Sequence, residues 1–258
     1  MATGTLIGAS LGPGDPNLIT RAAWNALHSN ALWTYPIRKK NGESYALGIA
    51  HAAGLATPAD AQALIFPMTH DQEKLAHYWL QAAETVLAVL RSGRDVVFLV
   101  EGDASTYSTF GHLARTLHAL DSNVTIKTIA GVTAYNAASA SLGMPVADTD
   151  DTVAIIPAAY GVEFVEHLLT DFDTLVLLKV KPLLDDLIVL LEKHQLIEHT
   201  RFVEKSGSSV ERIVHDIRTL RGEKVNYLSL LWLKTPIANA APFKKAVGKK
   251  PHERSRTP

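Results

Sequence analysis

The sequence predicts an α/β protein made of two α/β/α domains whose sheets are mostly parallel. Strand signals alternate with helix signals along most of the chain, which is the order expected of parallel sheets covered by helices. The segment "DVVFLV" at 95–100 is apolar from its second residue on, as in a parallel strand that is buried on both faces. Glycine-bearing loops follow three of the predicted strands, at the edge where sheets of this kind hold ligands.

In the first half of the chain, apolar spacing and turn residues place the elements. Leu80, Ala83, Leu87 and Leu90 mark one apolar face of a long helix, which Gly93 is predicted to cap. The polar, glycine-bearing stretch at 37–48 is predicted to be a loop. The predicted strands are 5–9, 32–35 (stopped by Pro36), 64–66 and 95–100, and the other predicted helices are 19–27 and about 111–120.

In the second half, "VTIKTIAG" at 124–131 predicts a strand and "TAYNAASASLG" predicts a helix that ends near Gly143. Four more strands are predicted at "TVAIIP", "TLVLLKV", "TRFVEK" and "NYLSLLWLK", with helices at about 162–169 and 183–194. The best candidate for a linker is "DSN" at 121–123. We therefore predict domains at 1–120 and 124–240, followed by a disordered basic tail at 241–258.

Composition excludes several classes of function. The net charge of −1 does not suggest a broadly basic nucleic-acid binder, and the absence of cysteine excludes disulfides, thiolate metal sites and a cysteine nucleophile. The eleven histidines show no zinc-protease spacing, so no metal site is predicted. The first residues do not resemble a secretory signal, and no apolar stretch has the length of a membrane span. A cytoplasmic protein that does not bind a membrane is expected.

The stretch "GASLGPGDPNLIT" at 8–20 offers backbone N–H and C=O groups rather than side chains to a ligand. It lacks both the G-x-G-x-x-G spacing and the G-K-[ST] of a triphosphate loop. "GASLG" also matches the nucleophile elbow of α/β-hydrolases, with Ser10 as the nucleophile. An elbow needs a helix directly after the serine, whereas Pro13, Gly14 and Pro16 delay any helix here.

Three loops carry a family resemblance. "SLGPGDPNLIT" at 10–20 is close to a G-x-G-P-G-D-P loop followed by L-[LI]-T, and "EGDASTYSTF" at 101–110 is close to a G-D-P-x-x-Y-[GS] turn. "AGVTAYNAASASLGMPV" at 130–146 is close to a P-G-[VI]-[ST]-[SA] segment, and "VLLKV" and "NYLSLLWL" match two later strands. Taken in order from about residue 4 to 235, these motifs resemble the tetrapyrrole methylase family, which uses S-adenosylmethionine to methylate uroporphyrinogen and corrin precursors.

Within that family, "FPMTHD" at 66–71 and the ending "YSTF" of the second motif resemble the branch that methylates C-20 of precorrin-2. The insertion around "GESYALGIA" also resembles this branch. Ala104 and Ala130 stand where the family has prolines, and Leu178 stands where it often has methionine. The segment at 204–224 differs from the one expected there, a difference that we expect to bear on substrate choice.

The resemblance implies two α/β domains with S-adenosylmethionine bound in the cleft between them, and a homodimer. Asp103 is expected to accept a hydrogen bond from the cofactor's ammonium group, with a turn-capping role as the alternative. The residues that the resemblance predicts to bind the cofactor are Leu11, Gly12, Pro13, Gly102, Asp103, Ser105, Thr106, Tyr107, Thr133, Ala134, Leu178, Lys179, Tyr227, Leu228 and Ser229.

The function implied is C-20 methylation of precorrin-2. The alternatives are the same reaction on the cobalt complex of that tetrapyrrole, methylation at another ring position, a hydrolase and a non-catalytic binding module. Methyl transfer requires no protein nucleophile, but the methylated carbon must lose a proton, and Asp15 and Glu101 are the candidate bases. The basic residues Arg38, Lys39 and Lys40 are candidates to bind the carboxylates of the substrate.

Overall fold

The computed structural model describes residues 3–235 of the chain, and these residues form two compact units. The first unit comprises the described residues up to Ala137 together with Gly207–Val210. The second comprises Ala138–Ser206 and the described residues from Glu211 on. Each unit is built on a five-stranded sheet. Among the described residues, no helix combines the length and the apolar character that crossing a membrane requires.

The first unit contains a wholly parallel sheet with helices on both faces. Its strands are β1 (Thr5–Ser10), β2 (Leu32–Ile37), β3 (Gln62–Ile65), β4 (Val96–Val100) and β5 (Thr125–Ile129), in the order β3-β2-β4-β1-β5. Its helices are α1 (Arg21–Leu27), α2 (Tyr45–Ala52), α3 (Gln72–Arg91) and α4 (Phe110–Leu120). The strands predicted for the first half of the chain are thus confirmed as β1 to β4.

Side-chain alternation along β4 explains why this sheet is covered twice. Val96, Phe98 and Val100 pack into a core with α3 and α4, whereas Val97 and Leu99 pack into a second core with α1 and α2. Because successive side chains of a strand point to opposite faces, a strand with apolar residues at every position needs helices on both sides. The prediction of a buried parallel strand at 95–100 is confirmed, as β4 at Val96–Val100.

The predicted loop at 37–48 is wrong in part, because α2 begins inside it. The Ser44 hydroxyl caps this helix by accepting a hydrogen bond from the N–H of Leu47, and Ala46, Ile49 and Ala50 lie buried along one face. A serine followed by apolar residues at helical spacing is a helix-start signal, but it was obscured by the polar residues before it.

Pro36 does not end β2, as the sequence had suggested, but lies within it. At this point β2 pairs with β3, with Pro36 opposite Leu64, whereas its pairing with β4 extends only over Leu32–Thr34. The N–H that proline lacks therefore leaves no gap on the side of β4, which is the condition under which proline is tolerated in a strand.

The long helix α3 is confirmed, but one residue of its predicted apolar face is wrong. Ala83, Leu87 and Leu90 are buried, whereas Leu80 is 41% exposed. The neighbouring Trp79 ring instead stacks on the His112 ring of α4, with ring centroids 4.1 Å apart. The indole of Trp79, and not the side chain of Leu80, therefore packs against α4.

The second unit contains a mixed sheet. Its strands are β6 (Val153–Pro157), β7 (Thr174–Leu178), β8 (Thr200–Glu204), β9 (Arg212–Val214) and β10 (Ser229–Lys234), in the order β6-β7-β10-β8-β9. The helices after β5 are α5 (Ala134–Leu142), which begins in the first unit, α6 (Val162–Leu168) and α7 (Leu184–Lys193). Apolar residues of the sheet form one core with α6 and α7.

The expectation of mostly parallel sheets holds for the first sheet, and the second differs from it. Only β6 and β7 pair in parallel there, and the other three pairs are antiparallel. A parallel pair needs a long crossover, which α6 supplies between β6 and β7. Seven residues separate β8 from the short β9, which the sequence analysis missed, and so short a connection favours an antiparallel pair.

The units divide the chain later than the domain bounds predicted at 1–120 and 124–240. The "DSN" segment forms a turn in which Asp121 Oδ1 accepts a hydrogen bond from the N–H of Asn123 at 3.1 Å. The next strand, β5, pairs with β1 and completes the first sheet, so that the change of unit falls within α5. The predicted tail at 241–258 lies outside the described residues.

Replacing Gly8 of β1 by alanine should destabilise the first unit. A Cβ atom at this position would lie 2.7 Å from the ring of Phe110, which is 3% exposed and packs against Phe98. Overpacking of this kind costs about 1–3 kcal/mol, which urea unfolding would measure. Gly48→Ala is the matched control, because nothing lies within 4 Å of its Cβ position in α2. It should stabilise by about 0.5–1 kcal/mol. Equal midpoints for the two variants would contradict this packing.

Candidate functional site

The loops that follow β1 and β4 are hydrogen-bonded to each other at the carboxyl edge of the first sheet. The N–H of Leu11 donates to the carbonyl of Val100 at 2.8 Å. The N–H of Gly12 donates to the carbonyl of Gly102 at 3.2 Å, and the N–H of Gly102 donates to the carbonyl of Gly12 at 2.7 Å. Both glycines have positive φ, at 78° and 69°, a conformation that favours glycine. The two loops therefore form a short bridge made of backbone alone.

The hydroxyl of Ser10 adds the end of β5 to this edge. Its Oγ donates to the carbonyl of Ile129 at 2.5 Å and accepts from the N–H of Ala104 at 2.8 Å. Ser10 is 0% exposed, so its hydroxyl is not accessible as a nucleophile. The structure therefore gives no support to the hydrolase alternative, and it assigns Ser10 to joining three strand ends.

The carboxylate of Asp103 joins the second and third loops. Oδ2 accepts from the N–H of Gly131 at 2.6 Å, and Oδ1 accepts from the N–H of Ser105 at 2.8 Å and from its hydroxyl. Burial alone would raise the pKa of Asp103, but the hydrogen bonds from Ser105, Gly131 and Thr106 outweigh it and hold the pKa below its usual value. The side chain thus caps its own turn and also links two loops. Its role toward a cofactor ammonium stays a prediction.

Close packing explains the glycine of the third loop. A Cβ at Gly131 would collide with the Cβ of Ser10 and would lie 2.7 Å from the carbonyl oxygen of Gly102. Because the second obstacle is backbone, a side chain here would push the loops apart. The three loops that resemble the family signatures therefore meet at Ser10, Asp103 and Gly131.

The other predicted cofactor residues of the first unit lie around this meeting point. Leu11 is 0% exposed, so that any contact it makes with a ligand would come from its backbone. Tyr107 is 52% exposed and has a φ of 50°, an uncommon conformation for a residue with a side chain. The hydroxyl of Thr133 accepts from the N–H of Asn136 in the first turn of α5, which Ala134 begins.

The remaining predicted residues lie in the second unit, where the start of β10 meets the ends of β7 and β8. The N–H of Lys179 donates to the carbonyl of Ser229 at 3.0 Å, and the N–H of Lys205 donates to the carbonyl of Leu228 at 2.7 Å. Lys179 and Lys205 both have positive φ, at 57° and 51°. Such conformations are concentrated at functional sites. Sequence reasoning missed Lys205, because the residue type lysine does not predict a left-handed backbone conformation.

Ser229 carries a buried hydroxyl without a hydrogen-bond partner in the part of the chain that the structure describes. The residue is 6% exposed, and among the described residues its Oγ has no hydrogen-bond partner. A buried polar group without a partner costs free energy, so that it requires an explanation such as a bound ligand. This position is one of those predicted to bind the cofactor.

The two candidate bases differ in their surroundings. Asp15 Oδ1 accepts from the N–H of Asn17 at 2.8 Å and from its side-chain amide at 2.9 Å, which caps the short 3₁₀ turn Pro16–Leu18. Glu101 is exposed and directly follows β4 at the same edge of the sheet. Their catalytic roles stay predictions.

The predicted basic residues Arg38, Lys39 and Lys40 are exposed and directly follow β2. Because the first sheet is parallel, the end of β2 lies at the same edge as the ends of β1 and β4. Within residues 3–235, no group of three or more His, Cys, Asp or Glu side chains could hold a metal ion.

The family comparison agrees with the motifs. The family model described as "Tetrapyrrole (Corrin/Porphyrin) Methylases" matches residues 5–220. A probable cobalt-precorrin-2 C(20)-methyltransferase of Methanocaldococcus jannaschii is 28% identical over 229 residues, which is 88% of this chain and 94% of that protein. A precorrin-2 C(20)-methyltransferase of a Sinorhizobium species is 28% identical over 191 residues, which is 70% of this chain and 75% of that protein.

Solved structures share the fold. The uroporphyrin-III C-methyl transferase of Thermus thermophilus, solved in complex with S-adenosyl homocysteine, matches 90% of this chain and 97% of its own with a TM-score of 0.61. Its sequence identity to this chain is 22%, so that this likeness concerns the fold.

Replacing Asp103 by asparagine should destabilise the protein at about pH 7 by roughly 1–3 kcal/mol, because the amide group cannot accept at both oxygen positions. The folded pKa of Asp103 lies below its unfolded value, so the carboxylate stabilises the fold above the unfolded pKa. This contribution disappears as the pH falls through the lower folded pKa. Urea unfolding should therefore show a constant difference between wild type and variant down to about pH 5, and a shrinking difference below about pH 4.

The control for this experiment is Asp60→Asn. Asp60 also has a lowered pKa, because of its hydrogen bond from Arg94, but its side chain is 52% exposed. Surface pairs of this kind contribute little to stability, so the variant should unfold close to the wild type. If Asp60→Asn destabilised the protein as much as Asp103→Asn, the hydrogen bonds of Asp103 between the two loops would contribute no more stability than a surface ion pair.

Proposed function

The chain belongs to the tetrapyrrole (corrin/porphyrin) methylases, and we propose that it transfers a methyl group from S-adenosylmethionine to C-20 of precorrin-2. The product of this reaction is precorrin-3A, an intermediate of cobalamin biosynthesis. The observation that carries the proposal is the likeness to two proteins named as C(20)-methyltransferases over 88% and 70% of this chain. The "FPMTHD" and "YSTF" segments, which resemble the same branch, support it from the sequence.

The residues present fit S-adenosylmethionine. The loops around Gly12, Gly102 and Gly131 offer backbone groups with little side-chain bulk, which suits a ligand with many polar atoms. The unpartnered hydroxyl of Ser229 suits a heteroaromatic ring with acceptor and donor atoms, such as adenine. We propose that the first unit holds the methionine end of the cofactor and that Leu178, Lys179 and Tyr227–Ser229 border its adenine.

Methyl transfer depends more on the alignment of the two reacting groups than on general acid–base catalysis. Bound S-adenosylmethionine would supply a sulfonium methyl group, which is transferred in line to the attacking carbon and leaves S-adenosylhomocysteine. The protein must hold the reacting carbon in line with that methyl group and exclude water. A set of loops fixed by backbone bonds and by Ser10 and Asp103 suits this task, because loops that are already ordered lose less entropy when a ligand binds.

The new bond at C-20 leaves a proton to be removed. Of the two candidates, we favour Glu101 as the acceptor, since it directly follows β4 at the edge of the sheet where the three loops meet. The exposed position of Glu101 after β4 supports this choice. Asp15 then has a structural role in keeping the opening loop closed by its 3₁₀ turn.

The cobalt complex of precorrin-2 is the second candidate substrate. The name of the Methanocaldococcus jannaschii relative favours it, whereas the name of the Sinorhizobium relative favours the metal-free tetrapyrrole. The metal belongs to the substrate in this reaction. The same protein loops would therefore serve either form.

We also propose that the enzyme works in the cytoplasm and as a homodimer. The homodimer rests on the resemblance to the family, whereas the location repeats the expectation drawn from the sequence. The dimer is tested by light scattering after size-exclusion chromatography, where a mass near 56 kDa, roughly twice the 28.0 kDa of one chain, is expected.

The activity is tested by incubating the protein with methyl-labelled S-adenosylmethionine and precorrin-2, with and without inserted cobalt. Mass spectrometry should show the gain of one methyl group, and NMR should place it at C-20. Gly131→Leu is the matched inactive variant, since even a Cβ would collide with Ser10. Gly48→Ala is the active control, because its Cβ would meet nothing within 4 Å.

Each outcome of this assay decides one part of the proposal. Methylation of only one of the two substrates identifies the form used. A methyl group at another carbon would retain the family and reject the branch. If neither substrate were methylated although S-adenosylhomocysteine bound, another tetrapyrrole or a binding role would replace the proposal.

The double variant Lys39→Ala, Lys40→Ala should raise the KM for the tetrapyrrole by roughly three- to ten-fold, because each exposed lysine would contribute a modest, salt-sensitive attraction to the carboxylates. The affinity for S-adenosylhomocysteine, measured by calorimetry, should stay unchanged. Lys74→Ala on α3 removes an exposed lysine elsewhere and serves as the control. An unchanged KM for the double variant would remove these residues from the substrate site.

A further inference from the structure

The opening loop is held on two sides inside the first unit, by the first residue of α2 and by Gly207–Val210. The Tyr45 hydroxyl donates to the carbonyl oxygen of Pro13 at 3.1 Å. A Cβ at Gly14 would lie 2.7 Å from the Cβ of Ser208 and 3.0 Å from Tyr45 Oη. We call the contact of Tyr45, Gly207 and Ser208 with Pro13 and Gly14 the clamp.

The Gly207 side of the clamp is packed as tightly as the Tyr45 side. Gly207 has a φ of 70°, and a Cβ there would lie 2.7 Å from Pro13 Cγ and 3.1 Å from the Cβ of Ala137. The nearest atom of Leu18 would be 3.5 Å away. A residue with a side chain at 207 would therefore displace the proline of the opening loop.

The surroundings of Tyr45 favour its protonated hydroxyl. Burial raises the pKa of Tyr45 and the nearby negative charge of Glu101 raises it further, whereas the hydrogen bond with Ser208 opposes them, and the pKa stays above its usual value. The hydroxyl can therefore donate to Pro13 throughout the neutral range. Glu101, the proposed proton acceptor, is near enough for its charge to act on the pKa of Tyr45.

The clamp acts on the middle of the opening loop, between two parts that are held in other ways. Gly12 is bonded to Gly102 on one side, and Asp15 caps the 3₁₀ turn on the other. Pro13 and Gly14 lie between these anchors. A loop that is ordered before its ligand arrives costs less entropy when the ligand binds.

We propose that Tyr45 and Ser208 are positioning residues for methyl transfer, which act by holding Pro13 and Gly14 so that the opening loop is ready to bind S-adenosylmethionine. This inference rests on the proposed function and extends it to two segments outside the glycine-rich loops. Tyr45 comes from the insertion between β2 and β3, and Ser208 comes from the connection between β8 and β9. Through the clamp, both segments affect the same loop.

The test uses Tyr45→Phe, Ser208→Ala and the double variant in the full-length protein. Calorimetry with S-adenosylhomocysteine should show about five-fold weaker binding for each single variant, the effect of losing one hydrogen bond. The double variant should lose less than the product of the two, because the residues share one network. Hydrogen exchange should become faster in residues 11–18, and the KM for S-adenosylmethionine should rise by the same factor as the dissociation constant.

Two controls make the same chemical changes elsewhere. Tyr78→Phe removes a hydroxyl from α3, and Ser141→Ala removes one from the exposed end of α5. Both should bind S-adenosylhomocysteine as the wild type does. Urea midpoints measured for all variants separate a loss of positioning from a loss of folding.

The possible outcomes distinguish this inference from the proposed function. Wild-type binding and unchanged exchange at 11–18 in both single variants would overturn the clamp, whatever the activity. Weaker binding together with equal loss of stability would assign the residues to folding and would also overturn it. If the wild type bound S-adenosylhomocysteine but methylated no tetrapyrrole, the proposed function would fail, and the binding and exchange data would still decide the clamp.

Discussion

The hydrogen bonds that join the ends of β1, β4 and β5 are the constraint on which the rest of the ligand edge depends. The loops there are made of glycine and small residues, so that they cannot hold one another by side-chain packing. Ser10 and Asp103 replace that packing with bonds to backbone groups of the neighbouring loops. Both are buried, at 0% and 7% exposure, so water does not compete for these bonds. The backbone groups of these loops can face a ligand because Ser10 and Asp103 hold the loops in place on the buried side.

The sequence predicted those elements whose burial or termination shows directly in the order of residue types. β4 was predictable because every position from Val96 to Val100 is apolar, and Gly143 ends α5 in the left-handed conformation that its residue type favours. Elements set by pairing elsewhere were not predictable. Pro36 continues β2 because β4 has already ended its pairing there, and the three-residue β9 exists because β8 offers it an edge. No local pattern encodes either fact.

The same limit applies to the site. The motifs located the three loops, but not the bonds between them, since Ser10 and Ala104 are 94 residues apart in the chain and Asp103 and Gly131 are 28 apart. Motif matching likewise singled out Ser10 as a possible nucleophile, because a motif records the spacing of residue types and contains no information on burial. Lys205 and Tyr45 were not predicted as site residues for a related reason. Their importance lies in a backbone angle and in one hydrogen bond, to which the residue type gives no clue.

Two segments outside the three family motifs therefore have a physical connection to those motifs. The insertion after β2 supplies Tyr45, and the unusual stretch at 204–224 supplies Gly207 and Ser208. Each meets the opening loop at Pro13 or Gly14, the part of the loop that its own caps do not hold. A reaction that needs alignment can be adjusted at such a place, because the position of Pro13 and Gly14 sets the shape of the loop that faces the methyl donor. Changes in these segments would therefore act on the binding of the methyl donor through the opening loop.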